Sequence, residues 1–456
     1  MTASAPLQEY RCPDEGYPIN RAVHLARLAT GYAKCRECAH GCEAGRGPQA
    51  ADRDSTVETT VHRPPPSTSL FTSEGVRGVY LNQLTRSTAA DIAGALASRL
   101  WDDQSRVAAG AGETARGGAR SGPIVLIGHD ERPASPDIVT GVGAGLRRMG
   151  CRVIDVGLTT RSCFWFAVDH LDAAAGVHVS GAGSGPAWTG LDFVGRGAAP
   201  MSLGGGLDAV AARRREGYAR PSRRPGSQRT FHAAVPYEAG LWKHFHALRP
   251  LRVAFACSNR LVRDLFDRIF RKLPCRLEHV VVPTRARNLS DAADPDLVRT
   301  AIAVRTMGCH FGVVVHDDGQ QCAFLSETGD LVAAASLMQL LAESLLFETP
   351  GQCIVLESAA SLQADKQVGR AASSLVRAVE RAGGRCAFGG TTLETMSAAM
   401  RTHAAGLGGG ASGRYWLLEP HPTCDAVLVV AKVLQALSRS DAPFGEKLSY
   451  AGSVSE

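Results

Sequence analysis

Four cysteines near the N-terminus have the residue types and spacing of a metal site. Cys35 and Cys38 form a C-x-x-C pair, Cys42 follows them, and Cys12 lies upstream of a helix-like stretch. Thiolates at this spacing bind Zn²⁺ in tetrahedral structural sites, whereas a redox pair needs a βαβ context that this stretch lacks. The predicted zinc ligands are Cys12, Cys35, Cys38 and Cys42, with His40 or His24 as substitutes.

A glycine-rich loop carries a second set of polar groups. In Gly176–Phe193, GVHVSGAGSGPAWTGLDF, a buried strand leads into the loop and an apolar stretch follows it. The hydroxyls of Ser180 and Ser184 and the backbone amides of the loop could hold a phosphate. Hydroxyls in a tight glycine turn also commonly satisfy neighbouring backbone groups, so a binding role and a structural role both stay open.

Strands and helices alternate around these groups. From Ile124 onward, β-branched runs such as IVLIG and RVIDVG flank amphipathic helices, and one predicted helix places Ile138, Val142, Leu146 and Met149 on one face. Strands joined by helical crossovers form mostly parallel sheets covered on both faces. The same alternation of strands and helices occurs twice more along the chain. We therefore predict an α/β protein of three consecutive α/β/α domains with mixed, mostly parallel sheets, plus a small N-terminal cysteine-rich segment.

Composition shifts suggest where the chain divides. The predicted parts are residues 1–45 for the cysteine-rich segment, 46–70 for a linker, and 71–228, 229–349 and 350–456 for the three domains. Two further stretches, Ser105–Pro123 and Arg213–Arg229, are rich in small or charged residues. Because such stretches bury little apolar surface, we expect a mobile linker in the first and a solvated linker in the second.

Composition also limits the class of protein. No apolar run is long enough to cross a membrane, and Met1–Cys12 lacks the basic and apolar regions of a signal peptide, so we expect a cytoplasmic protein. Most of the 13 cysteines lie in apolar runs and are expected to be reduced core residues. The arginine-rich stretch has no accompanying aromatic pattern, so neither nucleic acid nor a membrane is an expected partner.

Ordered motifs from Phe71 to about Leu437 resemble those of the phosphoglucomutase and phosphomannomutase superfamily, the α-D-phosphohexomutases. FTSEGVRGVY, Phe71–Tyr80, is similar to the opening F-G-T-S-G-x-R-G motif, and IGHDERPASP, Ile127–Pro136, is similar to G-R-D-x-R-x-S. The resemblance implies phosphohexomutase-type domains and a cleft that binds phosphosugars of carbohydrate metabolism. The residues that match in these two motifs are Arg77, Asp130, Arg132 and Ser135.

In the same register, the glycine-rich loop resembles the phosphoserine loop of that family, G-x-x-x-T-A-S-H-N-P-x-x-x-N-G-x-K. Ala182 stands where the resemblance places the phosphorylated serine, and Asp192 stands at the terminal lysine. An alanine methyl has no lone pair with which to hold a phosphoryl group, so we predict no chemistry at position 182. The glycine amides expected to point into the cleft and accept an anion belong to Gly181, Gly183 and Gly185.

The stretch Val313–Val332 resembles the magnesium loop of the family, D-G-D-x-D-R. Its three ligand positions read His316, Asp318 and Gln320. Mg²⁺ prefers anionic oxygens in octahedral geometry, so an imidazole and an amide in place of two carboxylates predict that Mg²⁺ binding is lost. A softer ion at His316 and Asp318 stays an alternative to an ordinary polar cap.

A third loop, GLGGGASGRYW at Gly406–Trp416, resembles the sugar-recognition motif G-G-E-x-S-G-H. Gly410 replaces its glutamate and Arg414 its histidine, while Ser412 and Gly413 match. The fourth domain of the family, with its phosphate loop, is expected to be absent. The cleft residues that we predict are Arg77, Asp130, Arg132, Gly181, Gly183, Ser412, Gly413 and Arg414.

These departures predict a phosphoglucomutase/phosphomannomutase-like protein that is catalytically degenerate, a pseudoenzyme retained as a phosphosugar- or anion-binding protein or as a scaffold. Two alternatives stay open. An active phosphohexomutase, an intramolecular phosphotransferase, would carry the phosphoryl group on a shifted serine such as Ser184 or Ser180. A zinc-anchored module that binds an unidentified protein partner would use the mutase-like part as a platform.

Overall fold

The computed structural model describes residues 70–110, 121–357 and 366–453, together with residues 9–10, 19–20, 23–24 and 27. The chain divides into two units, Met1–Thr68 and Ser69–Glu456. In the first unit, β1 (Glu9–Tyr10) pairs antiparallel with β2 (Ile19–Asn20). Apart from residues 23–24 and 27, the rest of the predicted cysteine-rich segment and nearly all of the predicted linker 46–70 lie outside the described residues.

The first sheet of the second unit has eight strands. They are β3 Phe71–Thr72, β4 Gly75–Val79, β5 Ile124–His129, β6 Arg152–Leu158, β7 Ala175–Val179, β8 Trp188–Gly195, β9 Ala199–Met201 and β10 Gln228–Thr230. Their order is β10-β6-β5-β7-β8-β4-β3, with β9 beside β8. The four strands from β10 to β7 are parallel, and β8, β4 and β3 continue the sheet antiparallel.

The helices of this part of the chain are α1 Arg86–Gly110, α2 Ser135–Arg148, α3 Arg161–His170 and α4 Asp208–Glu216. The predicted apolar face of α2 is confirmed, because Ile138, Val142, Leu146 and the adjoining Met149 are all buried. The predicted linker Ser105–Pro123 is wrong in its first part, since α1 continues through Gly110. Its alanines are strong helix formers, and extending an existing helix needs no new nucleus.

The stretch Arg213–Arg229 matches the predicted solvated linker only in its middle, where residues 217–227 form a mostly exposed loop. Its first residues belong to α4, where Arg214 pairs with Asp91 of α1 at 3.0 Å and Arg213 pairs with Asp102. Its last residues enter β10, which pairs in parallel with β6. Arginine content misleads here because the aspartates that pair with it lie more than a hundred residues earlier in the chain.

The second sheet contains four strands in the order β12-β11-β13-β14, of which the first three are parallel. The strands are β11 Arg252–Ala256, β12 Arg276–Val280, β13 Phe311–Val315 and β14 Cys322–Leu325. The helices that accompany them are α5 Ala234–Leu241, α6 Arg260–Phe270, α7 Pro295–Met307 and α8 Ala334–Glu348.

The third sheet contains five strands in the order β16-β15-β17-β18-β19, and again the first three are parallel. The strands are β15 Cys353–Glu357, β16 Arg385–Gly389, β17 Leu407–Gly409, β18 Tyr415–Glu419 and β19 His421–Cys424. The helices are α9 Lys366–Arg381, α10 Leu393–Thr402, α11 Ala426–Ser438 and α12 Phe444–Ser453. Three consecutive sheets with parallel centres confirm the predicted fold class.

Two expectations from composition can be checked in the ranges that the structure covers. The cysteines there are free thiols, and all of them except Cys386 are buried, which confirms their prediction as core residues. None of the helices in these ranges is both long and apolar enough to cross a membrane.

The parallel strands determine where the polar loops lie. Residues 130–135 follow β5, residues 159–161 follow β6 and residues 180–187 follow β7, at the same edge of the first sheet. In the other sheets, residues 316–321 follow β13 and residues 410–414 follow β17. Loops at the carboxyl ends of parallel strands are where α/β proteins build their sites.

Candidate functional site

The loop that contains Ala182 is held mainly by its own backbone. The Ser180 amide donates to the carbonyl of Gly190 at 3.1 Å, and the Ser184 amide donates to the carbonyl of Gly181 at 3.1 Å. The buried Ser180 hydroxyl accepts a hydrogen bond from the Ala182 amide at 3.1 Å. This hydroxyl therefore has the structural role of satisfying the turn, and the methyl group of Ala182 lies nearly buried beside it.

Arg132 holds the same loop from the β5 side. Its guanidinium donates to the carbonyl of Gly185 at 3.0 Å and to the carbonyl of Ser184 at 3.1 Å. A longer contact of 3.9 Å joins it to Asp317. The predicted cleft arginine is present, but the loop carbonyls already engage its donors.

Asp130 engages one of the predicted anion-binding amides. Its Oδ2 accepts from the Gly181 amide at 3.1 Å, so a carboxylate that lines the cleft already engages this amide. Its Oδ1 accepts from the hydroxyl of Ser135. Among the described residues, the amides of Gly183 and Gly185 donate no hydrogen bond.

A cavity of about 320 Å³ opens beside Ala182, between loops of the first and second sheets. The polar side chains that line it include Asp130, Glu131, Arg132, Asn259 and Asp317. Asp317 is paired on its far side with the buried guanidinium of Arg287. Carboxylates outnumber guanidiniums on these described walls, so the cavity is a polar space without an excess of positive charge.

Asp192, a buried residue of β8, lies between two arginines. Its Oδ1 accepts from Arg77 at 2.6 Å, and its Oδ2 accepts from Arg161 at 2.6 Å. Burial alone would raise the pKa of Asp192, but the guanidiniums of Arg161 and Arg77 hold it well below its usual range. Arg77 therefore lies where the motif predicts it, with its charge compensated by this carboxylate.

Asp318, in the loop after β13, is surrounded by donors. Its Oδ1 accepts the Gln320 amide at 2.8 Å, while its Oδ2 lies 3.5 Å from Nη2 of Arg414 and 3.8 Å from Nη1 of Arg161. Burial alone would raise the pKa of Asp318, but His316, Arg414 and Arg161 hold it well below its usual range. This carboxylate stays ionised because cations surround it.

The three predicted ligand positions of this loop do not fit Mg²⁺. Asp318 is the single carboxylate among them, and Oε1 of Gln320 accepts from Arg161 at 3.3 Å. Nδ1 of His316 lies 3.5 Å from the Asp318 carboxylate. No group of three or more metal-ligating side chains occurs in the described part of the chain. A hard divalent ion requires several free anionic oxygens, whereas the guanidiniums of Arg161 and Arg414, from other loops, face the carboxylate of Asp318.

Comparisons with known proteins agree with this arrangement of sheets and loops. Residues 68–203 match the family model "Phosphoglucomutase/phosphomannomutase, alpha/beta/alpha domain I". The domain at residues 68–203 therefore belongs to the phosphoglucomutase/phosphomannomutase superfamily. It is 28% identical over 295 residues to the phosphohexose mutases of Xanthomonas campestris, a match that covers 62% of this chain and 60% of the relative. It is 26% identical over 389 residues to the phosphoglucosamine mutase of Acidothermus cellulolyticus, covering 83% of this chain and 78% of the relative.

Solved structures of the superfamily share the fold. A phosphoglucomutase/phosphomannomutase family protein of Burkholderia thailandensis superposes with a TM-score of 0.70 at 21% identity, covering 83% of this chain and 79% of the other. A structure described as a "putative phosphomannomutase" from Thermus thermophilus superposes with a TM-score of 0.66 at 18% identity, covering 84% of this chain and 83% of the other. At these identities the likeness shows the fold alone, and the chemistry of the site has to be argued from the residues of this chain.

The sugar-loop region of this superfamily member contains a carboxylate that the motifs do not predict. Oε2 of Glu357, at the end of β15, accepts from the Ser412 amide at 2.9 Å, and the Ser412 hydroxyl donates to the same side chain. A Cβ atom at Gly410 would lie 2.8 Å from Glu357 Oε2, so Glu357 occupies the space beside the position where the motif has glutamate. Burial raises the pKa of Glu357, and the Ser412 donors oppose that shift.

Hydrogen bonds to backbone carbonyls join the sugar loop to the loop at Asp318. The Cys322 amide donates to the carbonyl of Gly413 at 3.0 Å, and Nε2 of Gln321 donates to the carbonyl of Ser412 at 3.0 Å. Arg414 reaches across to Glu74 at 3.1 Å. These contacts thus bring together the sugar loop, the loop at Asp318 and the Phe71–Tyr80 motif, which contains Glu74.

Sequence reasoning missed Arg161 and Glu357, which connect these loops. Each stands at or just after the carboxyl end of a parallel strand, Arg161 in the first turn of α3 and Glu357 as the last residue of β15. A charged residue at that edge of an α/β sheet is a signal that could have indicated both. The predicted zinc ligands Cys12, Cys35, Cys38 and Cys42 lie outside the described residues, and zinc binding stays a prediction.

Proposed function

We propose that this superfamily member keeps the phosphohexomutase fold but transfers no phosphoryl group, and acts as a non-catalytic scaffold. The observation that carries the proposal is the environment of Ala182, where a methyl group occupies the nucleophile position of the loop. Covalent relay requires a lone pair at this position, which a methyl group lacks.

Neither neighbouring serine is well placed to carry the phosphoryl group in place of Ala182. The Ser180 hydroxyl is buried and engaged by the Ala182 amide. Ser184 lies in the turn whose carbonyls hold Arg132, the arginine that would otherwise neutralise a transferring phosphoryl group. Phosphoryl transfer depends almost wholly on positioning and charge neutralisation, so a serine without free cations beside it gains little.

The charges of the cleft support the scaffold over an anion-binding protein. Arg77 is paired with Asp192, Arg132 is held by loop carbonyls, and Arg414 lies between Glu74 and Asp318. A phosphate would have to displace these internal partners to reach any of the three guanidiniums. Each displacement would leave a buried carboxylate or carbonyl without its donor, which is costly.

A second candidate, binding of a phosphosugar without turnover, is favoured by the cavity beside Ala182. Its volume of about 320 Å³ is in the range of small-molecule pockets. The amides of Gly183 and Gly185, which donate no hydrogen bond to a described residue, lie in the loop at its wall. The relatives named as phosphohexose and phosphoglucosamine mutases suggest phosphosugars as the class of ligand to test.

One experiment separates the active enzyme, the binder and the scaffold. Purified full-length protein is assayed for interconversion of glucose 1-phosphate and glucose 6-phosphate with Mg²⁺ and glucose 1,6-bisphosphate, beside an active phosphoglucomutase as control. We expect no turnover. Thermal unfolding with millimolar glucose 6-phosphate then distinguishes the two non-catalytic candidates, because a ligand of the native state must raise the melting temperature. Turnover would refute both.

A further inference from the structure

Six charged residues of alternating sign form one continuous chain through the cleft. In order, they are Arg77, Asp192, Arg161, Asp318, Arg414 and Glu74, called the arginine–aspartate network below. The distances between successive charged groups are 2.6, 2.6, 3.8, 3.5 and 3.1 Å. Every member except the terminal Glu74 has a side chain that is at least nine-tenths buried.

The network joins loops that belong to all three sheets. Arg161 begins α3, directly after β6 of the first sheet, and Asp318 follows β13 of the second sheet. Arg414 stands between β17 and β18 of the third sheet. The carboxylate of Asp318 is the point at which the three meet, since its Oδ2 faces both guanidiniums.

Two guanidiniums at this carboxylate supply the charge that a divalent ion would supply. Their planar donor groups can contact several acceptors at once, and Arg161 does so by bonding to Asp192 and to Oε1 of Gln320 while lying beside Asp318. A divalent ion at Asp318 would meet both positive groups at close range in a buried setting, where screening by water is weak.

We propose that Arg161 and Arg414 replace a metal ion at Asp318, so that the three sheets are joined at the cleft by guanidinium groups and without any divalent ion. This inference goes beyond the proposed loss of phosphoryl transfer, because it concerns what holds the three parts of the fold in place. It holds whether or not the cavity binds a ligand.

The test measures metal dependence and energetic coupling in the full-length protein. Melting temperatures are recorded after treatment with EDTA and then with millimolar Mg²⁺. Unfolding free energies are recorded for Arg414→Met, Asp318→Asn and the double variant. Arg268→Met, which removes a half-exposed arginine paired with Glu238, is the matched control. We expect Mg²⁺ to leave the melting temperature unchanged. We expect a large loss of unfolding free energy in each single variant of the network and a small loss in the control. The double variant should be at least as stable as the less stable of the two single variants.

Each other outcome overturns the proposal. A melting temperature of the wild-type protein that rises with Mg²⁺, and no longer does so in Asp318→Asn, would show that the loop holds a metal. Additive losses in the double variant would show that Arg414 and Asp318 do not act as a pair. If a single variant does not fold, Arg414→Lys replaces it, and the same Mg²⁺ comparison on the wild-type protein still decides the question of the metal.

Discussion

The loop at residues 180–186 and the loop at residues 316–321 follow buried strands of neighbouring sheets, yet they are held in different ways. The first loop, where Ala182 stands at the nucleophile position of the motif, is held by backbone hydrogen bonds and by hydrogen bonds that Arg132 donates to its carbonyls. Opposite charges hold the second, where Asp318 faces two guanidiniums. The first loop differs from the family motif in one side chain, at Ala182, and is held by its backbone, whereas the second is held by ion pairs around Asp318.

This difference has a consequence for reversibility. A hydroxyl can be returned to position 182 by one substitution, because the cavity beside it leaves room for one more atom. A carboxylate returned to position 320 would still lie beside Arg161, and Arg414 would still face Asp318. We therefore expect the proposed loss of the metal site to be harder to reverse than the proposed loss of the nucleophile.

The largest expected effect comes from removing a carboxylate of the arginine–aspartate network. Asp192→Asn leaves the buried guanidiniums of Arg77 and Arg161 without their shared counter-charge. Breaking a buried ion pair in this way costs about 3–5 kcal/mol. We expect a fall of that size in the free energy of unfolding, measured by urea denaturation.

The matched control is Asp172→Asn, which removes a carboxylate from an exposed pair with Arg196. Exposed ion pairs contribute about 0–1 kcal/mol, so the control should stay close to the wild-type protein. Equal losses in Asp192→Asn and Asp172→Asn would remove the contrast between the two loops, since the network would then be no stronger than a surface contact.

Lowering the pH is expected to have a smaller effect on the free energy of unfolding. The folded pKa of Asp192 lies well below its usual range, because Arg161 and Arg77 outweigh the opposing effect of burial. A carboxylate with a lowered folded pKa stabilises the protein above its unfolded pKa, about 4, and this stability is lost as the pH falls through the folded value. We expect the free energy of unfolding to decline from about pH 5 downward, with a shallower decline in Asp192→Asn. Equal slopes in the two proteins would contradict the assignment.

The sequence predicted the sheets better than the contacts between them. Periodicity located the strands and the buried face of α2, since both depend on residues close together in the chain. The motifs also predicted that Ala182, Asp318 and Arg414 lie in one cleft, and the structure places Asp318 beside Arg414. These predictions work because loops at the carboxyl ends of parallel strands must converge.

The pairing of charges could not be read from the chain in the same way. Asp192 and Arg161 lie 31 positions apart, and Asp318 lies on another sheet. An isolated charged residue in a sequence gives no sign of its partner, so Arg77 and Arg132 were predicted as open cleft groups when internal acceptors already engage them. The same limit explains why Arg213–Arg229, whose ends lie in α4 and β10, was predicted as a solvated linker.

The smallest effect is expected from Ala182→Ser, which tests whether the first loop lacks only an atom. The new hydroxyl can face the adjoining cavity, so the free energy of unfolding should change by about 1 kcal/mol or less. After incubation with glucose 1,6-bisphosphate and Mg²⁺, intact mass should show no added phosphate, and mutase turnover should stay absent. Ala182→Val adds volume without a hydroxyl and serves as the control. A phosphorylated Ala182→Ser protein that turns over substrate would show that the cleft still neutralises a transferring phosphoryl group, and that the paired guanidiniums exchange their carboxylate partners for phosphate more readily than their burial suggests.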